Sequence, residues 1–350
     1  MAGQVNDFNR RSFLKGAALV GAGSLVPGNM KAMAQDPNSE KKSGGAIPKR
    51  QLGKTGIEVS ALGLGGYHLG SAKTQKDAME IVARAIDAGI TFFDNAWDYH
   101  DGQSEEYLGQ ALKGKRDQVV VMTKVCTHGR SKEVAMQMLE QSLRRLQTDH
   151  LDVWQIHEVI YDNDPDLIFA PGGAIEALAL AKQQGKVRAV GFTGHKDPRI
   201  HLKMLAHDFP FDTIQMPLNC LDANFRSFEK NVLPEAQRRG IAVLGMKSMG
   251  GSGEIVSNGA AKPDEALRYA MSLPVATTIS GMESMEVLEQ NLAIASNFLP
   301  MSTAEMQALR DRVKYWAADG RYERFKTTKM YDGAEGRKQH EYPPTSELPA

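Results

Sequence analysis

The chain has 350 residues, 42% of them hydrophobic, enough for one large barrel or two ordinary domains. Basic and acidic side chains balance at 42 each, so no global field draws the protein to nucleic acid or to an anionic membrane. With two cysteines, Cys126 and Cys220, no disulfide framework can be argued; they read as buried or idle thiols, the alternative for Cys126, two residues past Lys124, being a thiol near the mouth of the site.

The N-terminus has three parts in order: Asn9-Arg10-Arg11-Ser12-Phe13-Leu14-Lys15, an apolar Gly/Ala-rich run over 16–26, and a small-x-small site at Ala32-Met33-Ala34. The arginine pair with Phe13 and Leu14 resembles a twin-arginine (Tat) export signal. That resemblance implies engagement of the Tat machinery, cleavage after Ala34 and a periplasmic destination. The apolar run is too short for a membrane span, so the mature form is expected to have none. Tat carries folded proteins, which suits an enzyme that loads its cofactor before export and needs no disulfides. Gly21-Ala22-Gly23 lacks the third glycine and the βαβ setting of a dinucleotide fingerprint. Residues 35–48 read as a polar linker.

A hairpin is expected over 50–60. Eight β-branched runs then alternate with helical stretches: 59–65, 91–96, 119–125, 151–159, 187–193, 213–219, 241–248 and 277–282. Helices are expected over 76–88 and 133–146, the latter with Val134, Met138, Leu139, Leu143 and Leu146 at helical spacing. Gly89, Gly185 and Gly240 stand just before strands, where helix C-caps belong. Eight apolar strands, each followed by a helix, predict a (β/α)8 TIM barrel over 49–300, its floor closed by the hairpin. A doubly wound sheet is disfavoured, because the first strand runs into glycines of the wrong spacing for a phosphate turn (63–70). Residues 301–350 read as a C-terminal helix and a polar tail that either wraps the barrel or stays unstructured.

Barrel enzymes carry their chemistry at the C-terminal strand ends. Asp94, Lys124 and His157 fall there on the second, third and fourth runs, and Tyr99 follows Asp94 by five residues. A phenol is too weak an acid to donate readily at neutral pH, and an adjacent ammonium lowers its pKa. Lys124 is placed to do this for Tyr99, with Asp94 keeping Lys124 charged and His157 donating to a carbonyl oxygen. Each residue alone has a structural explanation; four together suit proton delivery as a hydride reaches the carbonyl carbon.

The stretches 50–66, 92–99 (FFDNAWDY), 104–112, 122–125 (MTKV), 141–159, 185–195 and 280–292, in this order, resemble the aldo-keto reductase family over roughly residues 49–300. The resemblance implies NAD(P)H-dependent reduction of an aldehyde or ketone, or oxidation of the alcohol, without a metal. It gives Tyr99 the role of general acid, supported by Asp94, Lys124 and His157. It places Gln215 at the nicotinamide carboxamide and Asn291 on the adenine side. Thr193 stands where the family has Ser-Asn, and Met246 and Lys247 where it stacks an aromatic ring on nicotinamide. Gly281 and Ser284 open the last barrel helix, where NADP-selective members carry basic residues for the 2′-phosphate. Here 269–309 has no Lys or Arg, and Glu283, Glu286 and Glu289 appear instead. NADP is the family default; NAD, whose free ribose hydroxyl suits an acid, competes.

The small-molecule substrate is expected to meet Trp97 and His100, with Tyr161 and Phe169 as further walls. No metal set is apparent, because the nine histidines form no His-x-His pair at a strand end. The alternative to an enzyme is a nicotinamide-nucleotide-binding sensor on the same fold. Export also suggests a cofactor that stays bound and cycles between two substrates.

Overall fold

The computed structural model describes residues 45–127 and 131–348. The export signal, its cleavage site and most of the linker lie outside the described residues. Within the linker's end, Ile47 is already buried.

Lys49–Gln51 (β1) and Glu58–Ser60 (β2) pair antiparallel as the expected hairpin. Eight parallel strands then close into a barrel: Leu62–Gly65 (β3), Phe92–Asp94 (β4), Val120–Cys126 (β5), Leu151–His157 (β6), Val187–Thr193 (β7), Thr213–Pro217 (β8), Ala242–Met246 (β9) and Thr277–Gly281 (β10). The order is β10-β3-β4-β5-β6-β7-β8-β9. The barrel helices are Gln75–Asp87 (α1), Gln103–Ala111 (α2), Lys132–Leu146 (α3), Ala174–Gln183 (α4), Pro198–Ala206 (α5), Leu233–Arg239 (α6), Pro263–Ser272 (α7) and Met285–Ser296 (α8). Thr303–Ala317 (α9) comes after them.

The run 59–65 is not one strand. Ala61 N–H donates back to Pro48 O at 2.7 Å, while its carbonyl accepts from Thr278 N at 2.9 Å and opens the barrel ladder. One residue thus ends the hairpin and starts the barrel. In α3 the expected stripe is buried at Met138, Leu139, Leu143 and Leu146, but its first position is Ala135, while Val134 is 38% exposed.

Strand side chains alternate in and out. Inward, Phe92, Val120, Met122, Val153, Ala189, Leu244 and Ile279 make a dry floor with Leu52, Ile57 and Val59 of the hairpin. Truncating a ring such as Phe92 costs about 3–5 kcal/mol in a core of this kind. The same inward face continues upward as Asp94 above Phe92, Lys124 above Met122, and Gln155 then His157 above Val153. Apolar layers below and polar residues above are what aim the chemistry at the C-terminal mouth. Gly191 keeps this upper layer narrow: a Cβ there would lie 2.1 Å from Thr213 O.

After α9, residues 318–348 cross the C-terminal face, with short helices Arg324–Thr327 and Ala334–Gln339. Lys326, buried, donates to Asp222 Oδ1 at 2.6 Å, Glu323 Oε2 at 3.0 Å and Phe225 O at 2.8 Å. Glu323 in turn accepts from Asn219 Nδ2 at 3.0 Å. Gln339 donates to Cys126 O at 2.9 Å, Lys196 to Thr328 O at 2.6 Å, and Gly333 N–H to the Glu158 carboxylate. The described part of the tail therefore wraps the mouth. Among the described residues, no helix is long and apolar enough to cross a membrane.

Candidate active site

Lys124, 1% exposed, sits at the centre of the mouth. Its ammonium donates to Asp94 Oδ1 at 2.5 Å, to Asn95 O at 2.7 Å and to Tyr99 Oη at 3.2 Å. The Tyr99 ring lies edge-to-face with His157, centroids 5.6 Å apart, and edge-to-face with Tyr67 at 5.4 Å. The three strand-end residues and Tyr99 of the following loop thus meet in one small volume.

Strain and one arginine hold the loop carrying Tyr99. His100 and Asp101 adopt left-handed φ of 51° and 55°, ahead of Gly102 at 94°. Such conformations cost on the order of 1 kcal/mol each away from glycine and persist only where the surroundings enforce them. Here His100 Nε2 bonds Tyr67 O at 2.7 Å. Arg145 of α3 reaches Trp97 O at 2.8 Å and the buried Glu105 at 3.1 Å.

The electrostatics differ from the expectation that Lys124 lowers the Tyr99 pKa. Burial, followed by the charges of Asp94, Asp98 and Glu158, holds the phenol well above its ordinary value. Tyr99 is therefore kept protonated. Burial also raises Asp94, against the pull of Lys124.

Two carboxylates escaped the sequence reading. Asp98 Oδ1 lies 3.2 Å from His157 Nδ1, fixing the ring; burial pushes Asp98 up, but the His157 contacts prevail and hold it below the ordinary range. Glu158, next to His157, is raised by burial to about 7 and lies 3.4 Å from His195 Nδ1. Their signal was adjacency: each directly neighbours a chosen residue, Tyr99 or His157.

The expected substrate walls are placed otherwise. Trp97 turns onto α3, donating to Gln141 Oε1 at 2.7 Å beneath the Arg145 guanidinium. His100 packs on the loop after β3, its ring 4.9 Å from that of Tyr67. Phe169 stacks on His207 at 3.8 Å in a cluster with Phe209 and Phe211. Tyr161 donates to Asp332 Oδ2 of the tail at 3.2 Å. Tyr67, 54% exposed, presents the aromatic surface nearest Tyr99 instead.

The positions matched to a nicotinamide nucleotide run along the barrel rim from β7 to β10. Gln215 Oε1, from the middle of β8, is a buried acceptor with no protein partner, as a carboxamide N–H would require. Thr193 is buried at the end of β7, its carbonyl accepting from Val159 N at 2.7 Å. Met246 ends β9, half-buried. Lys247 beyond it has φ of 56° and points its ammonium at the Phe325 and Tyr331 rings of the tail, 5.4 and 5.1 Å away. Gly281 ends β10 beneath His68, whose ring a Cβ would meet at 2.2 Å. Ser284 caps α8 through Val287 N, and Asn291 donates to Ser280 Oγ at 3.2 Å. The acids of 269–309 have cationic neighbours from elsewhere: Arg84 of α1 pairs with Glu289 at 2.6 Å, and the charge of Lys73 acts on Glu286. These residues fit such a group.

Residues 7–27 match the signal sequence of the twin-arginine translocation pathway, so the chain carries a Tat export signal. The Bacillus subtilis aldo-keto reductase YhdN is 33% identical over 208 residues, 55% of this chain and 59% of its own, so the match spans less than two thirds of that relative. The 6-dehydroglucose reductase of Novosphingobium aromaticivorans is 30% identical over 63% of this chain and 75% of its own. An aldo-keto reductase from Klebsiella pneumoniae in complex with NADPH superposes with a TM-score of 0.62 at 25% identity, covering 76% of this chain and 95% of that one. The model of the aldo/keto reductase family matches residues 61–258, more than half of the sequence. The chain belongs to the aldo/keto reductase family.

Proposed function

We propose that the protein reduces a small, polar aldehyde or ketone with NADP(H), using Tyr99 as general acid, after export to the periplasm with cleavage behind Ala34. The carrying observation is the Tyr99 hydroxyl 3.2 Å from an ammonium that is itself held by Asp94 at 2.5 Å. NADP(H), when bound, supplies the hydride to the carbonyl carbon.

The protein's residues handle the oxygen and the proton. Tyr99, kept protonated by burial and three carboxylates, donates its proton to the carbonyl oxygen. Lys124, still hydrogen-bonded, steadies the phenolate left behind. His157, its ring fixed by Asp98 at 3.2 Å, is placed to hydrogen-bond the same oxygen. Asp98, Glu158 and Lys247 give the mouth a polar lining suited to a hydroxylated carbonyl, in keeping with the relative named for 6-dehydroglucose.

The test is oxidation of NADPH by the full-length protein on a panel of hydroxylated and apolar aldehydes and ketones, with Tyr99→Phe beside wild type. Loss of turnover in the variant supports the reading. A variant as fast as wild type overturns it, and tight nucleotide retention with no turnover on any carbonyl points to a sensor.

A further inference from the structure

Cys126 is not the idle thiol its sequence suggests. It closes β5 two residues past Lys124 on the same inward face, and it is the register partner of His157 on β6. Asp98 stands above them. One ligand atom from each of Asp98, Cys126 and His157 lies within 4.8 Å of the other two. We propose that these three side chains bind one borderline divalent transition-metal ion, of which Zn2+ is the type, and that its binding inhibits the reductase site.

The donor set selects the ion. One sulfur, one imidazole nitrogen and one carboxylate oxygen match Zn2+ or Co2+, whereas Mg2+ and Ca2+ require oxygen ligands. Three protein ligands leave a fourth tetrahedral position for water. Zn–N and Zn–O bonds near 2.1 Å and Zn–S near 2.3 Å place tetrahedral ligand atoms about 3.5 Å apart. Asp98 and His157 are already at 3.2 Å, so the site closes by a small approach of the thiol.

Charge favours the same answer. Binding releases the thiol proton to solvent, and the resulting thiolate and the Asp98 carboxylate together neutralise a dication in a largely buried place. Two of the ligands stand on adjacent strand ends, and the tail's Gln339 holds the carbonyl of Cys126 at 2.9 Å, an outer contact of the kind that orients metal ligands. Coordination at His157 Nδ1 breaks the bond to Asp98 and ties the ring to the metal, away from the orientation it needs at the reacting carbonyl. The bound ion also narrows the space beside Tyr99.

The experiment is a Co2+ titration of the chelator-treated, full-length protein, followed by absorbance, without nucleotide or substrate. One equivalent should give tetrahedral d–d bands and a sulfur-to-cobalt charge-transfer band, erased by Zn2+ and unaffected by Mg2+. The charge-transfer band should vanish in Cys126→Ser and persist in Cys220→Ser, while Asp98→Asn should weaken Co2+ binding by more than about tenfold, since even outer-shell partners cost 10–100-fold. No charge-transfer band, or one that survives Cys126→Ser, overturns the proposal. If Cys126→Ser does not fold, unchanged affinity in Asp98→Asn overturns it as well. The titration does not depend on turnover: a normal cobalt spectrum on a protein that reduces no carbonyl would refute the reductase reading and leave this site standing.

Discussion

Among the described residues two lysines are buried in nearly the same way and used differently. Lys124 and Lys326 are each 1% exposed, and each makes three hydrogen bonds through its ammonium. Lys124 directs its bonds to one carboxylate, one carbonyl and one phenol. Lys326 directs them to two carboxylates and a carbonyl. The difference lies in the third partner. A second carboxylate makes a closed structural staple that pins the tail to the loop after β8. A phenol makes a unit whose proton can leave, because Lys124 can hold the anion that remains. Burial of an ammonium is therefore no sign of catalysis by itself; the partner decides.

The largest effect expected from breaking this comparison is in Tyr99→Phe. Removing the phenol should cut kcat by about 10²–10⁴-fold, the range of general-acid contributions, with nucleotide affinity and unfolding midpoint nearly unchanged. Single-turnover rates and nucleotide titration check both halves. Lys326→Met should do the reverse. It strands Glu323 and Asp222 in the interior and should cost about 3–5 kcal/mol of stability, read by urea denaturation, while Tyr99 chemistry survives at temperatures where the variant remains folded. If Lys326→Met proved as inactive as Tyr99→Phe while fully folded, the contrast between staple and proton unit would collapse.

A smaller effect is expected at Asp98. Asp98→Asn should lower kcat by about tenfold, with KM changed less, because a single orienting contact to His157 is lost. An unchanged kcat would show that His157 needs no anchor.

Glu158 links the two regions, since its carboxylate takes the Gly333 N–H of the tail beside His157. Burial raises its pKa from 4.5 to about 7, so the folded state prefers the protonated acid. Its contribution to stability is full below about pH 4.5 and is lost as pH rises through about 7. The stability difference between wild type and Glu158→Gln should therefore move against wild type from pH 5 to pH 8, by denaturation at both values. A difference independent of pH would mean that the tail does not sense this proton. The smallest effect belongs to Trp97→Phe, which should leave KM for a small carbonyl within about twofold, because the indole faces α3.

Much of this was legible from local pattern. The hairpin, eight strands and their helices carry period-2 and period-3.6 signals that no distant contact overrides, and β7 runs over the expected residues. Asp94, Lys124 and His157 were readable because they close strands, and a parallel barrel brings strand ends together whatever the loops do. For Trp97, His100 and Phe169 loop position alone gave no direction. An arginine on α3, a carbonyl after β3 and a histidine after α5 set where those side chains point. Asp98 and Cys126 were in plain view, yet their meeting at His157 needs the register of β5 on β6.

The sequence alone determined the barrel, the order of its strands and the four residues at one mouth, because alternation along a strand and convergence of strand ends are local rules repeated eight times. Only the tertiary structure decided that the tail closes over that mouth, that Tyr99 stays protonated and that a thiol stands beside His157. Those outcomes depend on burial and on contacts across as many as 213 positions of chain, which no local pattern encodes.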